Sequence, residues 1–271
     1  MKFSVATWNI NSVRLRIGLV ERFLKEAQVD VLCLQETKCP DDKLPLSELR
    51  GFGYPYIAHR GMKGYNGVAI LSRFPLAAIQ GLDWCGREDA RHVAVTLAPE
   101  AGPAGGVTIH NFYVPAGGDI PDPEVNEKFA HKLNFLAEMR AWAGRQGAGS
   151  GPVIVVGDLN VAPLEHDVWS HRQMLDVVSH TPVETQALEA LREEAGLVDA
   201  PRRLKPEPEK VYTWWSYRSP DWRAADKGRR LDHVWLTPDL ADALRSVDVH
   251  KDCRGWDRPS DHVPLVATME L

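Results

Sequence analysis

Short runs of β-branched and other apolar residues alternate with amphipathic stretches along the whole chain, and this alternation most constrains its fold. Apolar runs bounded by turn residues are typical of strands. The sequence predicts strands at residues 3–7, 29–34, 68–72, 93–97, 107–114, 153–156, 231–236, 246–250 and 263–269. Those between residues 68 and 114 follow one another without a helix. This order favours an α/β fold of mixed or antiparallel sheets, with helices outside, over a purely parallel doubly wound sheet.

Apolar residues recur at helical spacing in three stretches, which predict helices. The first covers residues 13–27 and follows Ser12, a residue type that often caps helices. The second covers residues 129–139, and the third covers residues 185–195 and is stopped by Gly196.

The composition is that of a globular protein. Of 271 residues, 44% are hydrophobic and 25% are charged, which excludes bulk disorder and a fibrous repeat. Residues 144–152 are the one stretch that resembles a linker. It joins a predicted helix to a predicted strand, and candidate site residues lie on both sides of it. We therefore interpret it as a surface loop and expect a single domain over residues 1–271.

The sequence predicts a cytoplasmic protein that does not enter membranes. No apolar run approaches the ~18 residues of a membrane span. The short apolar stretch at residues 1–10 is interrupted by Asn9, Asn11 and Arg14, too early for a signal peptide. The four cysteines lie far apart without the spacing of a metal site, so we expect neither a disulfide framework nor a zinc site.

Polar residues interrupt or follow the apolar strands at several separate strand ends. Gly157 is expected to turn the chain sharply after one of these strands and to place the next residues at its carboxyl end, where α/β proteins build sites. A single such residue would be read as an ordinary loop residue, but the repetition indicates one functional site. The residues are Asn9, Glu36, Tyr113, Asp158, Asn160, Asp232, Asp261 and His262.

The residue types at these positions indicate metal-assisted hydrolysis. Carboxylates such as Glu36 and Asp158 supply hard oxygen ligands, which suit Mg²⁺ or Mn²⁺ rather than zinc. His262 can carry a proton or act as an electrophile, and a carboxylate such as Asp232 can fix its tautomer. Carboxylates, metal and histidine together are typical of phosphate-ester hydrolysis.

One segment is basic within an acidic protein. The net charge of the chain is −5, yet residues 202–230 contain nine Lys and Arg against four Asp and Glu. A solvated surface is the ordinary interpretation of such a run. Trp214, Trp215, Tyr217 and Trp222 are interleaved with the cations, and rings beside cations favour contact with nucleic-acid bases instead.

Seven short motifs resemble those of one enzyme class, the exonuclease III class of abasic-site endonucleases, and they occur in order along the chain. They are residues 8–11 (WNIN), 34–38 (LQETK), 66–73 (NGVAILSR), 113–115 (YVP), 157–160 (GDLN), 230–233 (RLDH) and 260–262 (SDH). The resemblance implies a four-layered sandwich, in which two mixed β-sheets are flanked by helices and the site lies at one end.

The resemblance also implies a role for each matching residue. Asp158 would orient or deprotonate the attacking water, and Asn160 would hold that carboxylate and the phosphate. Tyr113 would contact the scissile phosphate, and His262, oriented by Asp232, would stabilise the charge of the phosphorane. The implied metal ligands are Glu36, Asn9, Asp261, Asp158 and Asn160, with Asn11 nearby.

The resemblance further implies contacts with DNA. Trp214 and Leu231 match the family's abasic-sugar pocket, although both could equally be ordinary core residues. Two departures stand out: Ala116 replaces an Asn or Gln that contacts phosphate, and Arg229 replaces an apolar residue of the pocket. The residues expected to contact DNA are Trp214, Arg218, Lys227, Arg229, Arg230 and Leu231, and Arg223 is expected to face the phosphates as well.

These observations favour a Mg²⁺-dependent DNA repair nuclease, with Mn²⁺ as the alternative ion. It would act as a monomer on double-stranded DNA, cut 5′ to abasic sites and trim 3′-blocked ends. The first alternative is a phosphodiesterase or phosphatase of the same superfamily that acts on a phosphate ester other than nucleic acid. The second is a non-catalytic binding module, which the intact set of acids and His262 disfavours.

Overall fold

A computed structural model describes residues 1–146 and 151–271, and in them two six-stranded mixed sheets are flanked by helices. The predicted fold class is confirmed. The strands are β1 Lys2–Asn9, β2 Val31–Gln35, β3 Tyr56–Arg60, β4 Val68–Ser72, β5 Leu76–Gln80, β6 His92–Leu97, β7 Thr108–Tyr113, β8 Val153–Asp158, β9 Val198–Asp199, β10 Trp214–Trp215, β11 Gly228–Arg229, β12 Asp232–Leu236, β13 Leu244–Val249 and β14 Leu265–Glu270. The α-helices are α1 Ile17–Ala27, α2 Leu46–Gly51, α3 Glu127–Gln146, α4 His171–Met174, α5 Pro182–Glu194, α6 Ala200–Leu204, α7 Trp222–Ala225 and α8 Pro238–Asp242.

Each large sheet contains one parallel strand pair among antiparallel neighbours. The first sheet has the order β13-β14-β1-β2-β4-β3, and only β1 and β2 in it run parallel. The second has the order β5-β6-β7-β8-β12-β9, in which β7 and β8 are the parallel pair. Because parallel neighbours present their carboxyl ends at the same edge, each sheet offers two such ends side by side.

Three apolar layers follow from the alternation of side chains along the strands. Within β1, Val5 packs into the core between the two sheets, whereas Trp8 packs outward against α1. Within β8, Val156 faces the inner core and Val155 faces α3 and α5. The resulting order of layers is helix, sheet, sheet, helix.

The nine predicted strands are present, with ends that differ by up to about two residues. The sequence did not predict β3 and β5, which are edge strands, or β9 to β11, which have two residues each. The expected cap at Ser12 is wrong, because α1 begins at Ile17, Arg16 occupies its N-cap position, and Ser12 lies before the intervening turn with φ of 86°. Of the predicted loop at residues 144–152, residues 147–150 lie outside the described residues.

The longest described helix, α3, packs against α5 on the outer face of the second sheet. Its buried residues include Phe129, Leu136 and Met139. In the described parts of the chain, no helix has both the length and the apolar character that a bilayer crossing needs.

Asn111 is a polar connection between the two sheets. It lies on β7 of the second sheet and is fully buried. Its Nδ2 donates to the carbonyl oxygens of Leu34 and Ala69 in the first sheet, at 2.9 and 3.0 Å, and its Oδ1 accepts from Nε2 of Gln35 at 2.7 Å. Buried polar groups without partners are costly, so this set of bonds specifies how the sheets dock.

We therefore expect Asn111→Ala to lower the free energy of unfolding by about 2–4 kcal/mol, because several buried groups lose their partner. The control is Thr96→Ala, which removes a half-buried hydroxyl pair with Thr108 within one sheet and is expected to cost about 1 kcal/mol. Urea unfolding of both variants measures the difference. Equal losses would mean that Asn111 adds nothing beyond an ordinary hydrogen bond.

Candidate active site

The carboxyl ends of the two parallel strand pairs meet at one end of the sandwich and carry the predicted polar residues. Asn9 ends β1, and Glu36 follows β2. Tyr113 ends β7 and Asp158 ends β8, opposite each other in register. The antiparallel strand β12 begins at Asp232, which pairs with Asp158.

Gly157 has a different role from the one predicted. It lies inside β8, with φ of 144°, and therefore does not turn the chain. A Cβ at this position would lie 1.9 Å from the carbonyl oxygen of Phe112 on the neighbouring strand. Glycine is needed because the two backbones approach closely just before Asp158.

Several site residues adopt left-handed backbone conformations directly after their strands. The φ angles are 46° for Asn11, 51° for Glu36 and for Lys38, and 54° for Asn160. Residues other than glycine rarely adopt positive φ, and such conformations cluster at functional sites. Here they turn the chain at the sheet edge so that the side chains converge.

Glu36 lies at the centre of a hydrogen-bond network. Its Oε1 accepts from Nδ2 of Asn9 and from the hydroxyl of Tyr113, both at 2.9 Å, and its Oε2 lies 2.6 Å from Nζ of Lys38. The same Nδ2 of Asn9 donates to Oδ2 of Asp158 at 2.8 Å. Although burial opposes it, the charge of Lys38 together with these bonds lowers the pKa of Glu36 below its ordinary value.

His262 lies between two buried carboxylates. Its Nδ1 is 2.8 Å from Oδ2 of Asp232, and its Nε2 is 3.6 Å from Oδ2 of Asp158. Burial disfavours the charged ring, but Asp232 and then Asp158 outweigh burial and raise the pKa of His262 to about 10. The imidazolium is therefore present at neutral pH, with its Nε2 side towards Asp158.

The pKa of Asp158 is raised above that of an ordinary carboxyl group. Burial raises its pKa to about 7; His262 and the hydrogen bond from Asn9 oppose this rise, and repulsion from Asp232 and Glu36 adds to it. A carboxylate with a pKa near neutrality is suited to accept a proton from water. The hydroxyl of Tyr113 stays protonated, because burial and the neighbouring acids raise its pKa well above the ordinary value.

The donor set around this site fits a hard divalent cation. Glu36 and Asp261 both line the same cleft. Asp261 accepts from Nε1 of Trp214 at 2.9 Å and from Nδ2 of Asn11 at 3.2 Å, and burial is outweighed by His262 and these bonds, so its pKa is lowered. Asp158, Asp232 and His262 also offer ligand atoms within 4.8 Å of one another. Carboxylate and amide oxygens are typical ligands of Mg²⁺ and Mn²⁺.

The cleft above these residues has a volume of about 790 Å³ and one aromatic, cationic wall. The guanidinium of Arg229 lies 4.9 Å from the ring centroid of Trp214, and Nζ of Lys227 lies 4.4 Å from that of Trp169. Trp214 is partly exposed in the cleft, whereas Leu231 is largely buried but still lines it. A wall of this kind can contact both the bases or sugars and the phosphates of a nucleic acid.

Comparison with known proteins agrees with this geometry. The model of the endonuclease/exonuclease/phosphatase family matches residues 6–262. The chain belongs to this family. It is 30% identical to exodeoxyribonuclease III of Haemophilus influenzae over 98% of this chain and 99% of that protein. Two solved structures cover 99% of the chain and are themselves covered completely: an AP endonuclease from Archaeoglobus fulgidus (TM-score 0.91, 32% identity) and a Neisseria 3′ phosphatase, NExo, bound to product DNA hairpin (TM-score 0.88, 30% identity).

The structure brings together in one place the residues that the sequence predicted for catalysis and metal binding. Their individual roles stay predictions. One contact differs from expectation: the side chain of Asn160 does not hold Asp158. Its Nδ2 donates to the carbonyl oxygen of Val114 at 2.9 Å, and its backbone N–H donates to Oδ1 of Asp158 at 3.0 Å.

The prediction that Arg230 contacts DNA is wrong. Its side chain is fully buried and forms two bonds with Asp167 at 2.7 and 2.8 Å and one with Asp199 at 2.7 Å. Its neighbour Arg229 does line the cleft, as do Arg218 and Lys227. The remaining predicted cation, Arg223, is not among the residues that line the cleft and pairs with Asp252 instead.

Sequence reasoning also missed residues that belong to the site. Lys38 pairs with Glu36 and donates to Oδ1 of Asn11 at 2.6 Å. Lys38 is the last residue of the LQETK motif, so the sequence alone could have placed it at the site. Trp169 lines the cleft, but no sequence motif marks it, because it is a lone aromatic residue in a loop. The position of that loop depends on the pairing of Val168 with Arg229.

The partners of Asp167 lead to a pH-dependent stability. Burial alone would raise the pKa of Asp167, but Arg230 and Arg202 outweigh it and lower the pKa to about 2. A lowered pKa stabilises the fold above the pKa of the unfolded state and loses that contribution as the pH falls. We expect this contribution, about 2 kcal/mol at neutral pH, to disappear between about pH 4 and pH 2.

Urea unfolding of the wild type and of Asp167→Asn across this range measures the effect. The stability difference between the two proteins should shrink by about 2 kcal/mol as the pH falls. The exposed Asp239→Asn serves as the control and should show no such change. A difference that is constant with pH would contradict the assignment.

Proposed function

We propose that the chain is a Mg²⁺-dependent DNA repair nuclease that hydrolyses phosphodiesters 5′ to abasic sites, with 3′-5′ exonuclease and 3′-phosphatase activity. The observation that carries this proposal is the position of the Asp158–His262–Asp232 group beside Glu36, beneath a cleft whose wall combines indole rings with cations. The names of the similar proteins, exodeoxyribonuclease III, AP endonuclease and 3′ phosphatase, support the same class of substrate.

The residues have different roles in one hydrolytic step. A Mg²⁺ ion held by Glu36 and Asp261 would neutralise charge on the phosphate. Asp158 takes a proton from water as the new P–O bond forms; the bond to the leaving oxygen breaks, and that oxygen takes up a proton from solvent to leave as a hydroxyl. His262 donates a hydrogen bond to the phosphoryl oxygen whose negative charge grows, and Asp232 keeps the ring oriented and charged.

The substrate preference follows from the cleft wall. A nucleotide that lacks its base has lost stacking, so extruding its sugar costs less than flipping an intact nucleotide. Trp214 and Leu231 offer apolar surface to that sugar, and the adjacent cations Lys227, Arg229 and Arg218 face phosphates. We further propose that the chain is a single domain that works as a monomer in the cytoplasm; the family match over residues 6–262 supports the single domain.

A nuclease assay on a duplex with one abasic analogue tests the catalytic assignment. His262→Ala and Asp158→Asn should each lower turnover by about 10²–10⁴-fold, because each removes a proton-transfer or charge-stabilising group. Since they act as a unit, the double variant should lose far less than the product of the two effects. Glu36→Gln should raise the Mg²⁺ concentration needed for half-maximal activity.

The controls are His166→Ala, at a half-buried position, and Asp239→Asn, at an exposed one; neither residue lines the cleft. They should leave turnover unchanged. Full activity in excess chelator would exclude the metal, and near-wild-type rates of either catalytic variant would refute its role. An enzyme that cleaves other phosphate esters but not DNA would be the phosphatase alternative.

A second experiment tests the pocket. Trp214→Ala removes the ring and also the N–H that holds Asp261 at 2.9 Å, whereas Trp214→Phe removes the N–H but retains a smaller, single aromatic ring. We expect Trp214→Ala to lower cleavage at abasic sites at least about tenfold more than it lowers removal of a 3′-phosphate from a frayed end, because only the first reaction needs the sugar pocket. Trp214→Phe should lower both reactions to a similar extent.

Rates of all three proteins on the two substrates are compared at a temperature well below each unfolding midpoint. Equal losses on both substrates for Trp214→Ala would show that the ring does not select the substrate. Trp214 would then act only through Asp261 or as a core residue.

A further inference from the structure

The two loops that form the floor of the cleft rest on one buried cation, Lys132. Ala116 follows β7 and Asn160 follows β8, and both line the cleft. Nζ of Lys132 donates to the carbonyl oxygen of Asn160 at 2.7 Å and to that of Ala116 at 3.4 Å. Lys132 lies on α3 and is fully buried, so it cannot itself touch DNA from the cleft.

Asn160 and Gly117, in the loops after β8 and β7, both contact the side chain of Lys132. The backbone of Asn160 connects the lysine to the site. Its N–H donates to Oδ1 of Asp158 at 3.0 Å, and its carbonyl oxygen accepts from Nζ of Lys132. Gly117 has φ of 92°, and a Cβ there would lie 2.9 Å from Cδ of Lys132. The loop after β7 therefore lies directly on the aliphatic part of the side chain.

Glu184 compensates the buried charge and extends the network to the cleft wall. Its Oε2 forms an ion pair with Lys132, and both side chains are fully buried. Its Oε1 accepts from the backbone N–H of Ser179 and from Thr181 at the start of α5. The hydroxyl of Ser179 in turn accepts from Nη1 of Arg229 at 2.9 Å.

We propose that Lys132, held by Glu184, is a positioning residue for catalysis: it fixes the loops after β7 and β8 so that the backbone of Asn160 aims Asp158. This inference rests on the nuclease function proposed above. Asn160 adopts a left-handed conformation with φ of 54°, which non-glycine residues hold only when their surroundings impose it. A buried ion pair is often no more stabilising than apolar residues of the same size. Stability alone therefore does not explain Lys132, whereas its hydrogen bonds orient the carbonyl groups of Ala116 and Asn160.

The experiment uses Lys132→Met, which keeps the length and apolar stem of the side chain but removes its donors. Lys132→Met/Glu184→Gln is made as well, because it leaves no unpaired buried charge and is expected to fold even where the single variant does not. Met139→Ala is the matched control: Met139 is a buried residue of the same helix that packs in the outer core, away from the cleft. Cleavage kinetics and amide hydrogen exchange are measured at equal distance below each unfolding midpoint.

We expect both Lys132 variants to lower kcat by about 10- to 100-fold with KM changed less, as is usual when a group that orients a catalytic residue is lost. Exchange should accelerate about tenfold in peptides covering residues 114–119 and 158–163. Met139→Ala should lower the midpoint but change neither quantity. A double variant with wild-type kcat, or with unchanged exchange in these peptides, would overturn the proposal. The exchange result does not depend on the substrate, so it stands even where the proposed DNA cleavage fails.

Discussion

The active site depends on one constraint of sheet topology: each of the two stacked sheets has a single parallel pair of strands. In an antiparallel sheet, neighbouring strand ends point in opposite directions. The pairs β1–β2 and β7–β8 break this rule, so Asn9, Glu36, Tyr113 and Asp158 leave their sheets on the same side. Asp232, at the start of β12, and His262, in the segment before β14, complete the group around Asp158.

This concentration of acids is electrostatically unfavourable, and the fold offsets it locally. Burial raises the pKa of Asp158 to about 7, and repulsion from Asp232 and Glu36 acts in the same direction. Three neighbouring groups reduce the repulsion within the cluster, because each donates a hydrogen bond or provides positive charge to a carboxylate. They are Asn9, Lys38 and His262. The same residues that stabilise the acids therefore also set the protonation states that hydrolysis needs.

Much of this arrangement could be predicted from sequence, and the failures have physical causes. The buried strands could be predicted because their apolar runs are strong signals. Strand β5 was not predicted, because it lies at a sheet edge with four of its five residues exposed. Arg229 and Arg230 carry the same charge and adjoin each other, yet one lines the cleft and the other is buried against Asp167. Alternation predicts that they face opposite ways, but which of them meets an acid located 63 positions earlier is decided by tertiary packing.

The pairing of β1 with β14 has a consequence for biosynthesis. Lys2 lies opposite Glu270 in the first sheet, and His262 precedes β14 directly. A ribosome must therefore synthesise β14 before β1 acquires this neighbour, and must pass residue 262 before an imidazole can reach Asp158. A nascent chain that has not yet reached residue 262 carries Glu36, Asp158 and Asp232 but lacks the imidazole, so its hydrolytic site is incomplete.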